Sequence, residues 1–232
     1  MIVYGTNVVR ELLNSNTRIN KIIYSVNRAD VIELVNIAQQ KGIKTEQDKD
    51  KTENSQGIMA DIPNFKYCEI TDILNYANSK NQPPFILVLD GIQDPHNLGA
   101  LIRTAECAGV HGIIIPTNRA TDITDTVYKT SAGAVAHMLI SKVVNLTRAV
   151  QELKEAGVWV YALEADGTDM YNENFNYPTA LIVGSEGRGV TQLVRKNADV
   201  VISLNMFGKV NSLNASNAGA IAMYEVVRQR RK

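Results

Sequence analysis

Apolar residues recur at helical spacing through residues 29–41, at Val31, Ile32, Leu34, Val35, Ile37 and Ala38, and Gly42 supplies a stop. A shorter helix is predicted over 8–13, and strands over 21–26 and 58–62. Between these strands, residues 48–57 are charged and poor in apolar groups, the composition of a mobile loop. The polar, Asn-rich stretch 76–84 ends in Pro83-Pro84, which cannot continue a helix, and reads as a linker after a small domain spanning 1–75.

From residue 85 onward, strands and helices alternate. Phe85-Ile86-Leu87-Val88-Leu89 is continuously apolar, as expected of a central parallel strand buried on both faces. Further strands are predicted at 112–115, 139–144, 158–163, 180–183 and 200–204. Helices are predicted at 98–108, within 126–138, and at 147–156, 191–197 and 214–228. The pattern is that of an α/β protein: a mostly parallel sheet over 85–232 behind a small α/β domain.

Composition narrows the function classes. The 232 residues carry 24 Lys+Arg and 24 Asp+Glu, so the net charge is zero and gives no broad signature of a polyanionic partner. No apolar run approaches the roughly 18 residues of a membrane span. The N-terminus lacks a secretory pattern, and two distant cysteines make no disulfide framework, which together point to the cytoplasm. The three histidines lack metal-ligand spacing with cysteines or clustered carboxylates, so no metal is expected. No G-x-S-x-G elbow marks an acyl-transfer serine. Cys107 reads as a small buried hydrophobe.

In open α/β sheets ligands sit beyond the carboxyl ends of the strands, and three loops there are unusual. The first runs from Asp90 through Asp94, Pro95 and Asn97 into a helix, with Gly99 and Arg103 on one face. Spacing alone also allows Arg103 to be a surface residue of an amphipathic helix. The second, Gly184-Ser185-Glu186-Gly187-Arg188-Gly189, follows an apolar strand but fits neither the dinucleotide fingerprint nor a P-loop. Glu186 in this loop could equally be a carboxylate at a helix start. The third, residues 204–214, is dense in Asn and Ser and precedes a helix rich in Ala and Gly.

Together the three loops resemble the three motifs of the SpoU/TrmH family of RNA 2′-O-ribose methyltransferases, within the SPOUT superfamily. Asp94-Pro95-His96-Asn97-Leu98-Gly99-Ala100 with Arg103-Thr104-Ala105 is similar to the first, Gly184-Ser185-Glu186-Gly187 to the second, and Ser212-Leu213-Asn214-Ala215-Ser216 to the third. At the front, Tyr4-Gly5 and Gln56-Gly57-Ile58-Met59-Ala60 resemble the substrate-binding domain of the branch that methylates guanosine 2′-hydroxyls in 23S ribosomal RNA, as does Ser131-Ala132-Gly133-Ala134. Three departures stand out: Asn205 where the family usually has proline, and Ala215 and Asn217 where it has valines.

The resemblance implies a SPOUT-type α/β fold with a C-terminal trefoil knot, preceded by an L30e-like substrate-binding domain. It implies S-adenosylmethionine as cofactor, bound around Gly184, Leu204, Met206 and Leu213. Arg103 would be the catalytic residue, with Asn97, Glu186, Ser212 and Asn214 positioning it, ribose and cofactor. The implied partners are RNA, most specifically 23S ribosomal RNA, and a second copy of the chain. A homodimer with its site at the interface would also give the Ala/Gly face of the last helix a purpose. Transfer RNA as substrate, and a non-catalytic RNA-binding protein on a relict fold, are the alternatives. Residues 1–75 hold 9 Lys+Arg and 10 Asp+Glu, so the front domain is no more basic than the rest, and RNA would be held by shape and local patches.

Overall fold

The computed structural model describes residues 1–48 and 55–231. Most of the expected loop at 48–57 therefore lies outside the described residues. The chain divides into two compact units, one of 1–66 with 122–137 and one of 67–121 with 138–232.

The first unit is built on a four-stranded sheet in the order β1 (Ile2–Tyr4), β4 (Ile58–Asp61), β2 (Lys21–Tyr24), β3 (Lys44–Gln47). Helices α1 (Thr6–Asn14) and α2 (Ala29–Gln40) bury Val8, Val9, Leu12, Leu13 and Val31, Leu34, Val35, Ala38. The Tyr4-Gly5 and Gln56-Gly57 pairs meet here. Gly5 has φ +106°, and the Gln56 Oε1 accepts from the Thr6 N–H at 3.1 Å and from the Thr6 hydroxyl at 3.2 Å. A side chain 50 residues away thus satisfies one of the orphan donors at the start of α1. Residues 122–137 belong to this unit through α5 (Asp125–Thr130) and a short 3₁₀ turn, Ala134–His137. Gly133 lies so close to α1 that an added Cβ would stand 2.8 Å from the Glu11 side chain, which accounts for the run of small residues. His137 Nε2 lies 2.8 Å from a Glu11 carboxylate oxygen.

The second unit holds an all-parallel six-stranded sheet, in the order β10 (Val200–Ser203), β8 (Trp159–Asp169), β9 (Thr179–Gly184), β5 (Phe85–Asp90), β6 (Gly112–Pro116), β7 (Ile140–Val143). All six residues of β5 are buried, as its unbroken apolar run requires. Helix α3 (Ile70–Ser79) belongs to this unit and occupies much of the stretch that composition suggests as the end of the front domain and a linker. Its signals are nonetheless in the sequence: a Glu69/Asp72 capping box and Ile70, Ile73, Ala77 on one face. Ile73 sits over Gly112, where a Cβ would fall 2.6 Å from its side chain. Helices α4 (Pro95–Cys107), α6 (Leu146–Glu155), α7 (Gln192–Asn197) and α8 (Ala215–Arg230) complete the unit. Cys107, expected to be buried, is exposed, because it lies four residues beyond Arg103 on the solvent side of α4. Gly219 of α8 packs on Leu101 of α4 and Val183 of β9, and Ala215 and Ala222 are buried. Much of the small-residue face of α8 is therefore consumed within the chain.

Buried His111 fixes the start of β5. Its Nδ1 accepts the Phe85 N–H at 2.9 Å, and Nε2 lies 3.0 Å from the Gln82 Oε1, a pattern that requires the neutral ring. Burial, with the nearby positive charges of Arg230 and Lys80, holds its pKa below the ordinary 6.5. The stability it contributes is complete above the unfolded value and is lost as pH falls through the lowered folded value, since unfolded His111 protonates first. Between about pH 7 and pH 5 the urea midpoint of the wild type is expected to fall further than that of His111→Asn. Equal declines would contradict this role.

Candidate active site

The site is assembled where β5, β9, β8 and β10 end. β9 stops at Gly184, and Ser185 and Gly189 then exchange main-chain hydrogen bonds of 3.2 and 2.9 Å, closing a tight loop. A Cβ at Gly184 would lie 2.0 Å from the Gly189 carbonyl carbon and 2.2 Å from the Val190 nitrogen, both immovable backbone. Gly189 is constrained by its φ of +65°, and a Cβ there would also stand 2.5 Å from a Glu164 carboxylate oxygen. Two carboxylates of the flanking strands, Asp90 at the end of β5 and Glu164 within β8, grip the chain just past this loop. Glu164 accepts the Val190 N–H, and Asp90 accepts the Thr191 N–H at 2.7 Å.

The third loop joins this arrangement through Asn214. Its Oδ1 accepts from the Ser216 N–H at 2.9 Å and hydroxyl at 2.6 Å, capping α8. Its Nδ2 donates to the Asn97 Oδ1 at 3.0 Å and to the Glu186 Oε2 at 3.3 Å. Asn97 is in turn set by Asp94, the N-cap of α4, which accepts from the His96 and Asn97 N–H groups. One amide thus ties residues 97, 186 and 214, each from a different loop.

Two cavities flank the 185–189 segment. One, of about 730 Å³, lies against the 90–97 turn and includes Asn97, Glu186, Arg119 and Arg188. The other, of about 770 Å³, lies against the 203–213 loop, and Gly184, Leu204, Met206, Ser212 and Leu213 all line it. Arg103 stands apart: it is exposed on α4 and lines neither cavity of its own chain.

Sequence patterns do not single out Asp90, Glu164 or Asp169. The apolar run of β8 ends at Leu163, yet the strand continues to Asp169, pairing Thr168 and Asp169 with Ile202 and Ser203 after a register shift. Gly167 permits this, because a Cβ there would meet the Ile202 backbone at 2.5 Å. The extension explains one departure: Asn205 Nδ2 donates to the Asp169 Oδ2 at 2.7 Å, a side-chain tether where the family usually has a ring. Ala215 is buried beside the second cavity, whereas Asn217 is exposed and nothing in the structure explains it.

Asn214→Ala removes a helix cap and the donor that joins Asn97 to Glu186. Its expected cost is about 1–3 kcal/mol in urea unfolding, and Asn214→Ser, which can still cap, should recover part of it. An Asn214→Ala variant as stable as the wild type would show that the junction contributes nothing.

Among the described residues no cluster of His, Cys, Asp or Glu could hold a metal ion, and no helix is long and apolar enough to cross a membrane. Residues 84–224 match the SpoU rRNA methylase family, and residues 2–68 match the substrate-binding domain of RNA 2′-O ribose methyltransferases. A Bacillus subtilis protein named as a TrmH family tRNA/rRNA methyltransferase is 40% identical, over 98% of this chain and 95% of that protein. A Staphylococcus haemolyticus protein with the same family name is 38% identical, over 99% of this chain and 96% of its own. In fold, the chain resembles the SpoU methyltransferase AviRb of Streptomyces viridochromogenes, crystallised with AdoMet, at a TM-score of 0.85 and 22% identity, covering 99% of this chain and 90% of that one. An AdoMet-bound rRNA methyltransferase from Sinorhizobium meliloti superposes with a TM-score of 0.82 at 23% identity, covering 100% and 88%. The three loops converging on Asn214, the parallel sheet beneath them and these matches lead to one conclusion: the chain belongs to the SpoU rRNA methylase family of RNA methyltransferases.

Proposed function

We propose that this protein transfers a methyl group to a ribose 2′-hydroxyl of RNA, most specifically a guanosine of 23S ribosomal RNA, and that it works as a homodimer. The observation that carries the reading is the junction of Asn97, Glu186 and Asn214 directly beside a glycine-walled cavity. The second cavity fits S-adenosylmethionine in kind and size. Its roughly 770 Å³ falls within the ~300–1,000 Å³ of small-ligand sites. Leu204, Met206 and Leu213 offer apolar contact, while Asn211 and Ser212 offer polar groups. Gly187, with open space where a Cβ would stand, leaves main-chain groups accessible at the cavity wall. Bound there, the cofactor supplies a methyl on a sulfonium sulfur.

The chain's own residues then have two tasks: to orient a weakly nucleophilic hydroxyl and to stabilise the charge that grows on its oxygen. The Arg103 guanidinium suits both, holding the 2′-oxygen and a neighbouring phosphate with its fork of donors. Guanidinium is effectively always protonated, so Arg103 orients and stabilises, and the hydroxyl proton goes to another acceptor such as a phosphate oxygen. Asn97, Glu186, Ser212 and Asn214 position ribose and cofactor around it. Exposure of Arg103 away from both cavities of its own chain supports a site completed across two protomers. Ile221 and Tyr224, exposed on α8, which packs against α4, offer apolar surface for that association. The front unit, matched to a substrate-binding domain, supports a ribosomal RNA substrate.

Arg103→Ala is expected to lose methyl transfer by at least about 100-fold in single turnover, the scale of removing one electrostatic stabiliser, while calorimetry shows S-adenosylmethionine affinity nearly unchanged. Retained single-turnover activity would overturn the assignment. A wild-type protein without cofactor affinity would instead favour the relict-fold alternative.

A further inference from the structure

The cavity between the 90–97 turn and the 185–192 segment has a charge balance that the methyl-transfer roles leave unused. Four carboxylates border it, and each is engaged. Asp90 accepts the Thr191 N–H, Asp94 caps α4, Glu164 accepts the Val190 N–H, and Glu186 accepts from Asn214. Three guanidiniums also border it, and Arg195 is paired with Asp166 at 2.8 Å. Among the described residues, Arg119 and Arg188 make no side-chain hydrogen bond or ion pair, and both are exposed.

Arg119 is also held in a backbone conformation that an L residue with a long side chain rarely adopts, with φ +59°. The loop that carries it is anchored to the 90–97 turn, since the Thr121 N–H donates to the Ile92 carbonyl at 3.2 Å. Arg188 borders the same cavity from the glycine-bounded 185–189 segment, and it borders the second cavity as well. Two uncommitted forks therefore line one hollow, in a chain whose net charge is zero.

Resting on the RNA-methylation reading above, we infer that this cavity receives the RNA sugar–phosphate backbone, with Arg119 and Arg188 forming a two-point phosphate clamp. Guanidinium matches phosphate with paired donors, which fixes orientation as well as position. Anchored there, the strand lies against the segment that carries Glu186, and the clamp sets which ribose meets the Asn97–Asn214 junction. The clamp residues are positioning residues; Arg119 borders this cavity alone, whereas Arg188 also borders the cofactor cavity.

The test is fluorescence anisotropy with unmodified transcripts of 23S ribosomal RNA fragments and of transfer RNA, without cofactor, at several salt concentrations between about 50 and 200 mM. Arg119→Gly and Arg188→Ala should each weaken binding about tenfold and lower the slope of log K against log salt by about one, while the S-adenosylmethionine affinity of Arg119→Gly stays at the wild-type value. Arg119→Gly relieves the unfavourable φ, so its melting temperature should equal or exceed the wild type's and loss of fold cannot mimic the result. Unchanged affinity and slope in both variants overturn the clamp. So does lost cofactor affinity in Arg119→Gly, which would place that guanidinium at the other cavity, or a wild type that binds neither transcript. RNA binding needs no turnover, so the two readings fail separately. A wild type that shows these slopes but transfers no methyl leaves the clamp standing. A methylating wild type with variants that bind RNA normally removes the clamp alone.

Discussion

At the end of β9 two stretches of backbone touch with no room for a single further atom. The Gly184 Cα faces the Gly189 carbonyl and the Val190 nitrogen so closely that a Cβ would overlap both. Everything that separates the two cavities depends on this approach, because it folds the 185–189 segment back onto the strand that bears it. The strand itself cannot shift. β9 is bonded along its length to β5 and β8, with Asp90 opposite Gly184 and Leu163 opposite Val183. The two neighbouring strands then supply the grips: Asp90 takes the Thr191 N–H and Glu164 the Val190 N–H. Hydrogen bonds to carboxylates of this kind contribute on the order of 1.5–3 kcal/mol each. Asn214 secures the segment through Glu186 and also caps the last helix.

The residues of this junction are legible in the sequence because each sits in an odd local composition. Glycine at 184, 187 and 189 interrupts an apolar grammar, and Asn97 and Asn214 stand at helix starts. The strands of the large sheet are equally plain, since burial on both faces forces continuous apolar runs such as Phe85–Leu89. Less of the small unit can be read. β3 is Lys-Thr-Glu-Gln, with no buried face to leave a pattern, and β1 is only three residues long. The return of residues 122–137 to the first unit is tertiary and leaves no periodicity. Asp90, Glu164 and Asp169 carry no signal of their own, because a carboxylate that accepts a main-chain N–H looks like any polar residue after an apolar run.

Substitutions away from the family pattern acquire meaning only beside their partners. Asn205 gives up the rigidity of a ring and gains a hydrogen bond to Asp169, which exists as a partner because β8 runs past its apolar run. Close packing of α8 depends on Gly219 accepting Leu101 and Val183. The far end of that helix is tied down as well. Arg230 donates to the carbonyls of Pro83, Pro84, Phe175 and Tyr177, and burial pulls its pKa down to about 10. Glu225, held below the usual carboxylate range by Arg228, accepts from Gln229 as well. The helix that Asn214 starts is thus anchored at both ends, so the third loop has a fixed place to finish.

Neutral charge, at first a sign against RNA, fits a protein that meets its substrate through a few placed groups and a dedicated front unit. The most direct test of methylation itself is a map of 2′-O-methyl groups in total RNA from cells with the gene, without it, and with the gene restored. The account predicts that a 2′-O-methylguanosine in 23S ribosomal RNA disappears on deletion and returns with the wild-type gene. An unchanged map, or a loss confined to transfer RNA, would contradict it.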